Sequence, residues 1–142
     1  MNFVLDNSVV MRWFFGDGKP NEIAYARAVL NALKQDSALV PVTWGLELAN
    51  VIARGEAQGV ISEARSGMFL EMLEGIDITA DEATFSHALT NTLALSRRYR
   101  LSAYDASYLE LALREGIALA TLDEALQKAS KKAGVKRFMA DS

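Results

Sequence analysis

The most restrictive feature of this sequence is a short apolar segment close to its first residue, which ends abruptly at an acid. Phe3, Val4 and Leu5 are apolar in succession, without the polar alternation of a strand that has one face in water. Such a run is typical of a strand buried on both faces, as in a parallel sheet that carries helices on either side. Asp6 follows directly, and an acid in this position lies at the crevice where open α/β sheets bind ligands.

Short apolar segments and helix signals alternate along the rest of the chain. After the first strand we predict further strands at about residues 38–40, 75–78, 117–120 and 135–138. We predict helices at about residues 8–15, 21–33, 43–57, 62–73, 81–99 and 102–116, and a basic helix that ends at Gly134. This alternation indicates an α/β fold, a three-layer α/β/α sandwich with a short, mainly parallel central sheet. Since no linker or repeat interrupts the pattern, we expect one domain over residues 1–142.

The composition excludes several classes of protein. The chain contains no cysteine, which rules out disulfides, cysteine-ligated zinc and thiol catalysis. The net charge of −3 argues against a protein whose main task is non-specific binding of nucleic acid, although a nuclease with a local basic rim is compatible with it. The sequence shows neither a signal peptide nor a run of membrane-spanning length, so we expect a cytoplasmic protein without membrane association.

Four acids are placed where the predicted sheet would gather them. They follow strands or open helices, and they are Asp6, Glu47, Asp105 and Asp123. Right-handed crossovers place the strand-to-helix turns along one edge, so these side chains are expected to converge there. Close carboxylates repel by roughly 4 kcal/mol per pair at an effective dielectric constant of about 20, so such a cluster holds protons or a cation. Oxygen ligands suit Mg²⁺ or Mn²⁺, and such a metal activates water and neutralises a phosphoryl transition state.

Each acid also has an ordinary structural explanation. Asp6 and Asp123 precede helices and are good N-caps, and Asp105 completes an imperfect capping box with Ser102. Glu47 lies in an early helical turn, where an acid favours the helix dipole. From the residues alone, metal-dependent phosphoester chemistry and a sheet with ordinary capping acids therefore both remain open.

Four separate segments together form a more specific pattern. They are VLDNS at residues 4–8, PVTWGLELAN at 41–50, LSAYDASY at 101–108 and LATLD at 119–123. In the order, spacing and context of these segments the chain resembles a PIN domain, and in particular the toxin subunit of VapBC-type toxin–antitoxin pairs. The resemblance is spread over nearly the whole length of the chain.

This resemblance implies a function and a set of site residues. It implies a Mg²⁺-dependent endoribonuclease, with Mn²⁺ able to substitute, that acts as the toxin of a type II toxin–antitoxin pair. The catalytic, metal-binding acids of the family and its two supporting hydroxyl groups correspond to Asp6, Glu47, Asp105 and Asp123, and to Ser8 and Thr121. The resemblance further implies an RNA substrate, a homodimer and a cognate antitoxin that blocks the enzyme.

Two other functions fit part of the pattern. An Asp-based phosphotransfer enzyme could use Asp6 as its nucleophile, but it needs a second acid two residues later, where this chain has Ser8. A non-catalytic PIN-like interaction module is the other alternative. The complete set of acids counts against that module, because a degenerate member would be expected to lose acids first.

Several conspicuous side chains have a structural interpretation. Trp13, Phe14 and Phe15 are expected in the core or at an interface rather than in a platform for base stacking. Six large apolar residues exceed what we expect one small domain to bury and predict an interface: Trp13, Phe14, Phe15, Met68, Phe69 and Met72. We expect the antitoxin to lay an amphipathic helix in a groove between the helices that contain Trp13 and Trp44, with an arginine that pairs with the acids. Cations near helix ends are expected to complement helix dipoles, and a phosphate-binding rim is the alternative. These cations are Arg97, Arg98, Arg100, Lys128, Lys131 and Lys132.

Overall fold

The computed structural model describes residues 2–138. The strands in this range are β1 (Asn2–Leu5), β2 (Ser37–Pro41), β3 (Ile78–Asp81) and β4 (Leu119–Ala120), which form a parallel sheet in the order β3-β2-β1-β4. The helices are α1 (Asn7–Phe15), α2 (Pro20–Ala32), α3 (Trp44–Ala57), α4 (Glu63–Glu74), α5 (Thr84–His87), α6 (Leu93–Tyr99), α7 (Ala103–Glu115) and α8 (Glu124–Ala133). A π-helical turn, Ala88–Thr92, joins α5 to α6. None of these helices is both long enough and apolar enough to cross a membrane.

The strand β1 lies in the interior of the sheet, with a parallel neighbour on each side. Val4 pairs with Leu39 of β2 and with Leu119 of β4. Phe3 and Leu5 are fully buried in the apolar core on one face of the sheet, and Val4 is fully buried in the core on the other face. Burial of a side chain of this kind contributes roughly 1.5 to 3 kcal/mol. The prediction of a first strand buried on both faces is therefore confirmed.

Helices cover both faces of the sheet. The core that contains Phe3 also includes Val9 of α1 and Leu48 of α3, together with side chains of α2. The core that contains Val4 includes Leu109 of α7 and side chains of α8. The predicted α/β/α architecture with a short parallel sheet is thus confirmed, and the carboxyl ends of its strands lie along one edge.

Three predicted boundaries differ from the structure. The third strand begins at Ile78 rather than near residue 75, because residues 75 and 76 still donate hydrogen bonds to carbonyl groups in the last turn of α4. The strand predicted at 135–138 is reduced to one bridge between Leu119 and Arg137, because β4 is only two residues long. The helix predicted over 81–99 begins at Thr84 and is interrupted by the π-helical turn.

The aromatic residues near the start of the chain belong mostly to the core. Phe14 and Phe69 are buried and stack with ring centroids 4.4 Å apart. Trp13 is half-buried, and its Nε1–H donates to the carbonyl group of Ala26 at 2.7 Å. The prediction that Phe14 and Phe69 exceed what this domain can bury is therefore wrong. Met68 and Met72 are exposed as expected, and further large apolar side chains are exposed as well, among them Val42, Leu46, Phe85 and Leu89.

Candidate active site

Asp6 lies at the carboxyl end of β1. Its backbone N–H donates to the carbonyl group of Ala120 at 3.0 Å, so β1 and β4 remain paired up to this residue. Asp6 occupies the N-cap position of α1, yet its carboxylate makes no capping hydrogen bond and the residue is only 5% exposed. Its Oδ2 instead accepts hydrogen bonds from Ser8 Oγ and Thr121 Oγ1, each at 2.7 Å. Helix capping therefore does not explain Asp6.

The two hydroxyl groups are themselves held by the backbone. The N–H of Leu122 donates to Ser8 Oγ at 2.8 Å, and the N–H of Asp123 donates to Thr121 Oγ1 at 3.0 Å. Because both hydroxyl oxygens already accept a hydrogen bond, their own protons are available for the carboxylate of Asp6. Asp6 is thus held as an acceptor in one orientation.

Glu47 reaches the same edge from the first turn of α3. It is partly buried, and its Oε1 accepts a hydrogen bond from Tyr108 Oη at 3.2 Å. Tyr108 is fully buried on α7, and burial together with the nearby carboxylates raises the pKa of its phenol, so the group remains a donor. The sequence indicates Tyr108 only as a core residue, and no local pattern reveals a partner 61 positions away.

The other two acids open helices. Ser102 Oγ caps α7 by accepting a hydrogen bond from the backbone N–H of Asp105 at 3.1 Å, which leaves the Asp105 carboxylate in the first turn. Asp123 caps α8, since its Oδ2 accepts from the backbone N–H of Leu126 at 2.8 Å. The capping explanation is therefore correct for Asp123, whereas the cap next to Asp105 is Ser102.

The pKa values of three of the four predicted acids are raised, namely those of Asp6, Glu47 and Asp105. Burial raises the pKa of Asp6, and repulsion from Asp123 adds to the effect. Burial raises the pKa of Glu47 to about 7, with further contributions from Asp6 and Asp105. Burial also raises the pKa of Asp105 to about 6, with repulsion from Asp6 and Asp123. The structure thus brings the four carboxylates into one group, termed here the acidic cluster (Asp6, Glu47, Asp105 and Asp123).

Another carboxylate at this edge is neutralised within the protein. Asp81 ends β3, and its Oδ2 lies 2.6 Å from Arg114 Nη2, while Arg114 Nε lies 2.8 Å from Glu110 Oε2. Although desolvation acts to raise it, hydrogen bonds from Arg114 and Thr84 hold the pKa of Asp81 below its ordinary value. The sequence reasoning missed this network. By contrast, no lysine or arginine within residues 2–138 pairs with the acidic cluster.

The donor chemistry of the acidic cluster fits a hard divalent cation. Its potential ligands are all oxygens, with the hydroxyl groups of Ser8 and Thr121 beside Asp6. In residues 2–138, however, no three His, Cys, Asp or Glu side chains converge closely enough to form a ready-made metal cage. Carboxylates that repel one another do not settle at coordination distances unaided, so a bound cation would have to draw them together.

Comparison with known proteins identifies the class to which this fold and acidic edge belong. The family model of the PIN domain matches residues 3–132, so the chain belongs to the PIN domain family. PIN domains are generally metal-dependent nucleases. The fold is similar to that in the crystal structure of PAE2754 from Pyrobaculum aerophilum, with a TM-score of 0.63 and 19% identity over 91% of this chain and 87% of that chain. No curated protein matches the sequence.

Proposed function

We propose that this protein is a metal-dependent endoribonuclease that acts in the cytoplasm as the toxin of a type II toxin–antitoxin pair. The observation that carries the proposal is the acidic cluster, in which burial and neighbouring carboxylates raise the pKa values of Asp6, Glu47 and Asp105. No lysine or arginine within residues 2–138 forms an ion pair with the cluster. Membership of the PIN domain family supports the nuclease, because PIN domains are generally metal-dependent nucleases. The toxin assignment is supported by the four segments that resemble VapBC-type toxins.

In this proposal the acidic cluster holds Mg²⁺, for which Mn²⁺ can substitute. The ion, when bound, supplies activation of water and neutralises negative charge at the phosphoryl group. Ser8 and Thr121 keep the Asp6 carboxylate in one orientation through their hydroxyl groups. Tyr108 holds Glu47 in the same way from the core side. These hydroxyl groups therefore position the carboxylates without taking part in the reaction.

Cleavage of RNA by the purified protein tests the nuclease. We expect EDTA to abolish cleavage and Mg²⁺ or Mn²⁺ to restore it, with 5′-phosphate and 3′-hydroxyl ends, because water rather than the ribose 2′-hydroxyl attacks. Asp6→Asn should abolish cleavage and keep the fold, since the two side chains have nearly the same shape. Asp77→Asn changes an exposed acid before β3 and is the matched control. Ends that carry 2′,3′-cyclic phosphate, or full activity in Asp6→Asn, would contradict the assignment.

An exposed apolar surface supports a homodimer as part of the same proposal. Val42, Leu46, Phe85 and Leu89 are exposed, and Phe85 retains 87% of its accessible surface. The backbone N–H of Val42 donates to Thr84 Oγ1 at 3.1 Å, which joins the segment before α3 to α5. Large exposed apolar patches mark interfaces, and two-fold dimers are the commonest assembly. Light scattering should show a dimer that Phe85→Glu dissociates, and a monomeric wild type would contradict this part.

The groove proposed for the antitoxin differs in position from the one that the sequence predicts. The cavity between α1 and α3 has a volume of about 220 Å³, whereas an apolar groove of about 660 Å³ lies between α3 and α4. Leu48, Ile52 and Trp44 line the larger groove. The carbonyl group of Trp44 accepts a hydrogen bond from Asn7 Nδ2 at 3.3 Å, and Asn7 follows Asp6 directly. The groove therefore reaches the neighbourhood of the acidic cluster.

An amphipathic helix of the antitoxin fills this groove in the proposed complex, and an arginine of the same segment pairs with the acidic cluster. This arginine would compete with Mg²⁺ for the carboxylate oxygens. Calorimetry across a Mg²⁺ series should therefore give an antitoxin affinity that falls as Mg²⁺ rises. Asp6→Asn should weaken the complex even without metal. An affinity indifferent to both changes would place the antitoxin away from the acidic cluster.

A further inference from the structure

The region around α8 concentrates positive charge in a protein whose net charge is −3. Eight of the 15 lysines and arginines lie on α8, at the end of α6 or in the segment that follows α8. All eight side chains are exposed. They are termed here the basic face, which consists of Arg97, Arg98, Arg100, Lys128, Lys131, Lys132, Lys136 and Arg137.

Two cavities adjoin across α8, and the basic face lines both. The larger has a volume of about 730 Å³, lies between α8 and residues 134–137, and has Lys128, Lys131 and Lys136 in its wall. The smaller has a volume of about 340 Å³ and lies between α8 and the end of α6. Its lining is cationic and aromatic, with Arg98, Tyr99, Arg100, Lys128 and Lys132. Because Lys128 lines both cavities, they form one continuous cationic surface.

The basic face lacks acids to neutralise it. Within residues 2–138 none of its members forms an ion pair, and the arginines that do are Arg12 and Arg114. Helix dipoles account for the cations in the last turns of α6 and α8. They do not account for Lys128, which lies in the middle of α8, or for Lys136, which lies beyond it. Helix dipoles therefore do not explain every cation of the basic face, which favours the alternative of a phosphate-binding rim.

Arg100 adopts a backbone conformation that a residue with a side chain rarely takes. Its φ of 54° and ψ of 44° lie in the left-handed region, and it is the only residue other than glycine with a positive φ in the range 2–138. The helices α1, α7 and α8 end in the same conformation at glycines, namely Gly16, Gly116 and Gly134. A side chain in this position costs conformational energy, and such strain at a surface points to a use for the side chain.

The basic face adjoins the acidic cluster in two ways. Thr121 lines the larger cavity, and its hydroxyl group donates to Asp6. Asp123, a member of the acidic cluster, caps the first turn of α8. At a rise of about 1.5 Å per residue, Lys128 lies about 8 Å and Lys132 about 14 Å along the helix from Asp123. Neighbouring phosphates of one nucleic-acid strand span distances of this order.

We propose that the basic face binds the phosphates of single-stranded RNA next to the cleaved bond, with α8 as the track that leads away from the acidic cluster. The inference rests on the proposed nuclease function and adds the conformation and the path of the substrate. The exposed cations supply attraction that does not depend on sequence. The guanidinium of Arg98 lies over the Tyr99 ring, 5.6 Å from its centroid, so the smaller cavity presents a cation–aromatic pair against which an unpaired base can pack.

Binding of RNA to catalytically inactive protein tests the basic face. In the Asp6→Asn background, anisotropy of a fluorescein-labelled oligouridylate of about 12 nucleotides is measured across a salt series. The combined change of Arg100, Lys128 and Lys132 to Gln should weaken binding by about tenfold or more and reduce the slope of log K against log[salt] by about 2. The matched control changes three exposed cations elsewhere, Arg27, Lys34 and Arg54, and should alter neither quantity.

The possible outcomes distinguish a failure of the RNA-binding proposal for the basic face from a failure of the proposed nuclease function. Equal RNA binding by the triple variant and its control would overturn the basic face, and cleavage by the wild type would still support the nuclease. If RNA binding depends on the basic face but the wild type does not cleave RNA, the basic face would be supported and the nuclease contradicted. If the triple variant lost affinity for polyglutamate but not for RNA, the surface would be a docking site for an acidic protein segment, and the proposal would be overturned.

A second variant keeps the test valid if the triple variant does not fold. Arg100→Gly removes one cation and also relieves the left-handed backbone, so it should fold at least as well as the parent protein. Its salt slope should fall by about 0.7, the contribution of one phosphate contact on a single strand. An unchanged slope and affinity in Arg100→Gly would also count against the basic face.

Discussion

In EDTA, without divalent cations, a rise in pH should destabilise this protein. Burial and mutual repulsion raise the pKa of Glu47 to about 7 and that of Asp105 to about 6, from ordinary values of 4.5 and 3.8. Between the ordinary and the raised pKa, the folded protein holds protons that the unfolded chain has released, so the free energy of unfolding falls as the pH rises. The stabilisation is complete below about pH 4 and is lost as the pH passes through about 6 to 7.

The two pKa shifts set the size of this effect. One pKa unit corresponds to about 1.4 kcal/mol, so the shift corresponds to at most about 3.5 kcal/mol for Glu47 and about 3 kcal/mol for Asp105. Both side chains are only partly buried, and solvent screens part of the repulsion between them. We therefore expect the free energy of unfolding in EDTA to fall by about 2 to 3 kcal/mol in total between about pH 5 and pH 8.

Urea denaturation followed by circular dichroism measures this decline. The series stays above about pH 5, because Asp81, whose pKa is lowered, contributes in the opposite direction in more acid solution. Saturating Mg²⁺ should remove the decline, since the ion replaces the protons. Asp6→Asn should reduce it by removing a repelling charge, and Glu71→Gln on the exposed side of α4 should not. A stability in EDTA that stays level or rises over this range would refute the inference that the carboxylates are close and unbalanced.

Three substitutions test other parts of the structure. Tyr108→Phe removes only the hydroxyl group that holds Glu47, so Mn²⁺ affinity measured by calorimetry should fall by about tenfold, and an unchanged affinity would exclude a positioning role. Arg114→Met leaves Asp81 and a second carboxylate charged and unpaired, so urea denaturation should show a loss of about 3 kcal/mol; a much smaller loss would mean that water replaces the arginine. Arg100→Gly should raise the free energy of unfolding by about 1 kcal/mol while RNA binding weakens, and a less stable variant would show that the Arg100 backbone is not strained.

Short-range patterns predict much of this fold. Residues 3–5 carry no polar side chain, and only a strand covered on both faces can bury such a run. Gly116 and Gly134 end α7 and α8 in the left-handed conformation, which glycine adopts without strain. The meeting of Asp6 with Asp123 follows from topology, because parallel neighbouring strands end at the same edge. These features depend on local sequence and on the order of strands and helices, and not on the details of side-chain packing.

Short-range patterns do not predict hydrogen-bond partners that are distant in sequence, because these depend on which helix faces pack together. Tyr108 has apolar neighbours and resembles any core residue, although its hydroxyl group reaches Glu47 on another helix. Asp81 and Arg114 pair across 33 positions, which neither local sequence shows. Likewise, the sequence places Lys128 on a basic helix but does not show that it has no acidic partner within residues 2–138. The sequence alone therefore leaves both the dipole interpretation and the phosphate-binding rim open for these cations.

The hydrogen bond from Thr121 to Asp6 joins residues 115 positions apart, so it can form only late in the synthesis of the chain. A ribosome makes Asp6 long before it makes Thr121 and Asp123. Until β4 has been added beside β1, Asp6 lacks one of its two hydroxyl partners and the acidic cluster lacks a member. A nascent chain therefore carries an unfinished site, however well its first helices have folded. The acidic cluster is complete only after residue 123 has left the ribosome.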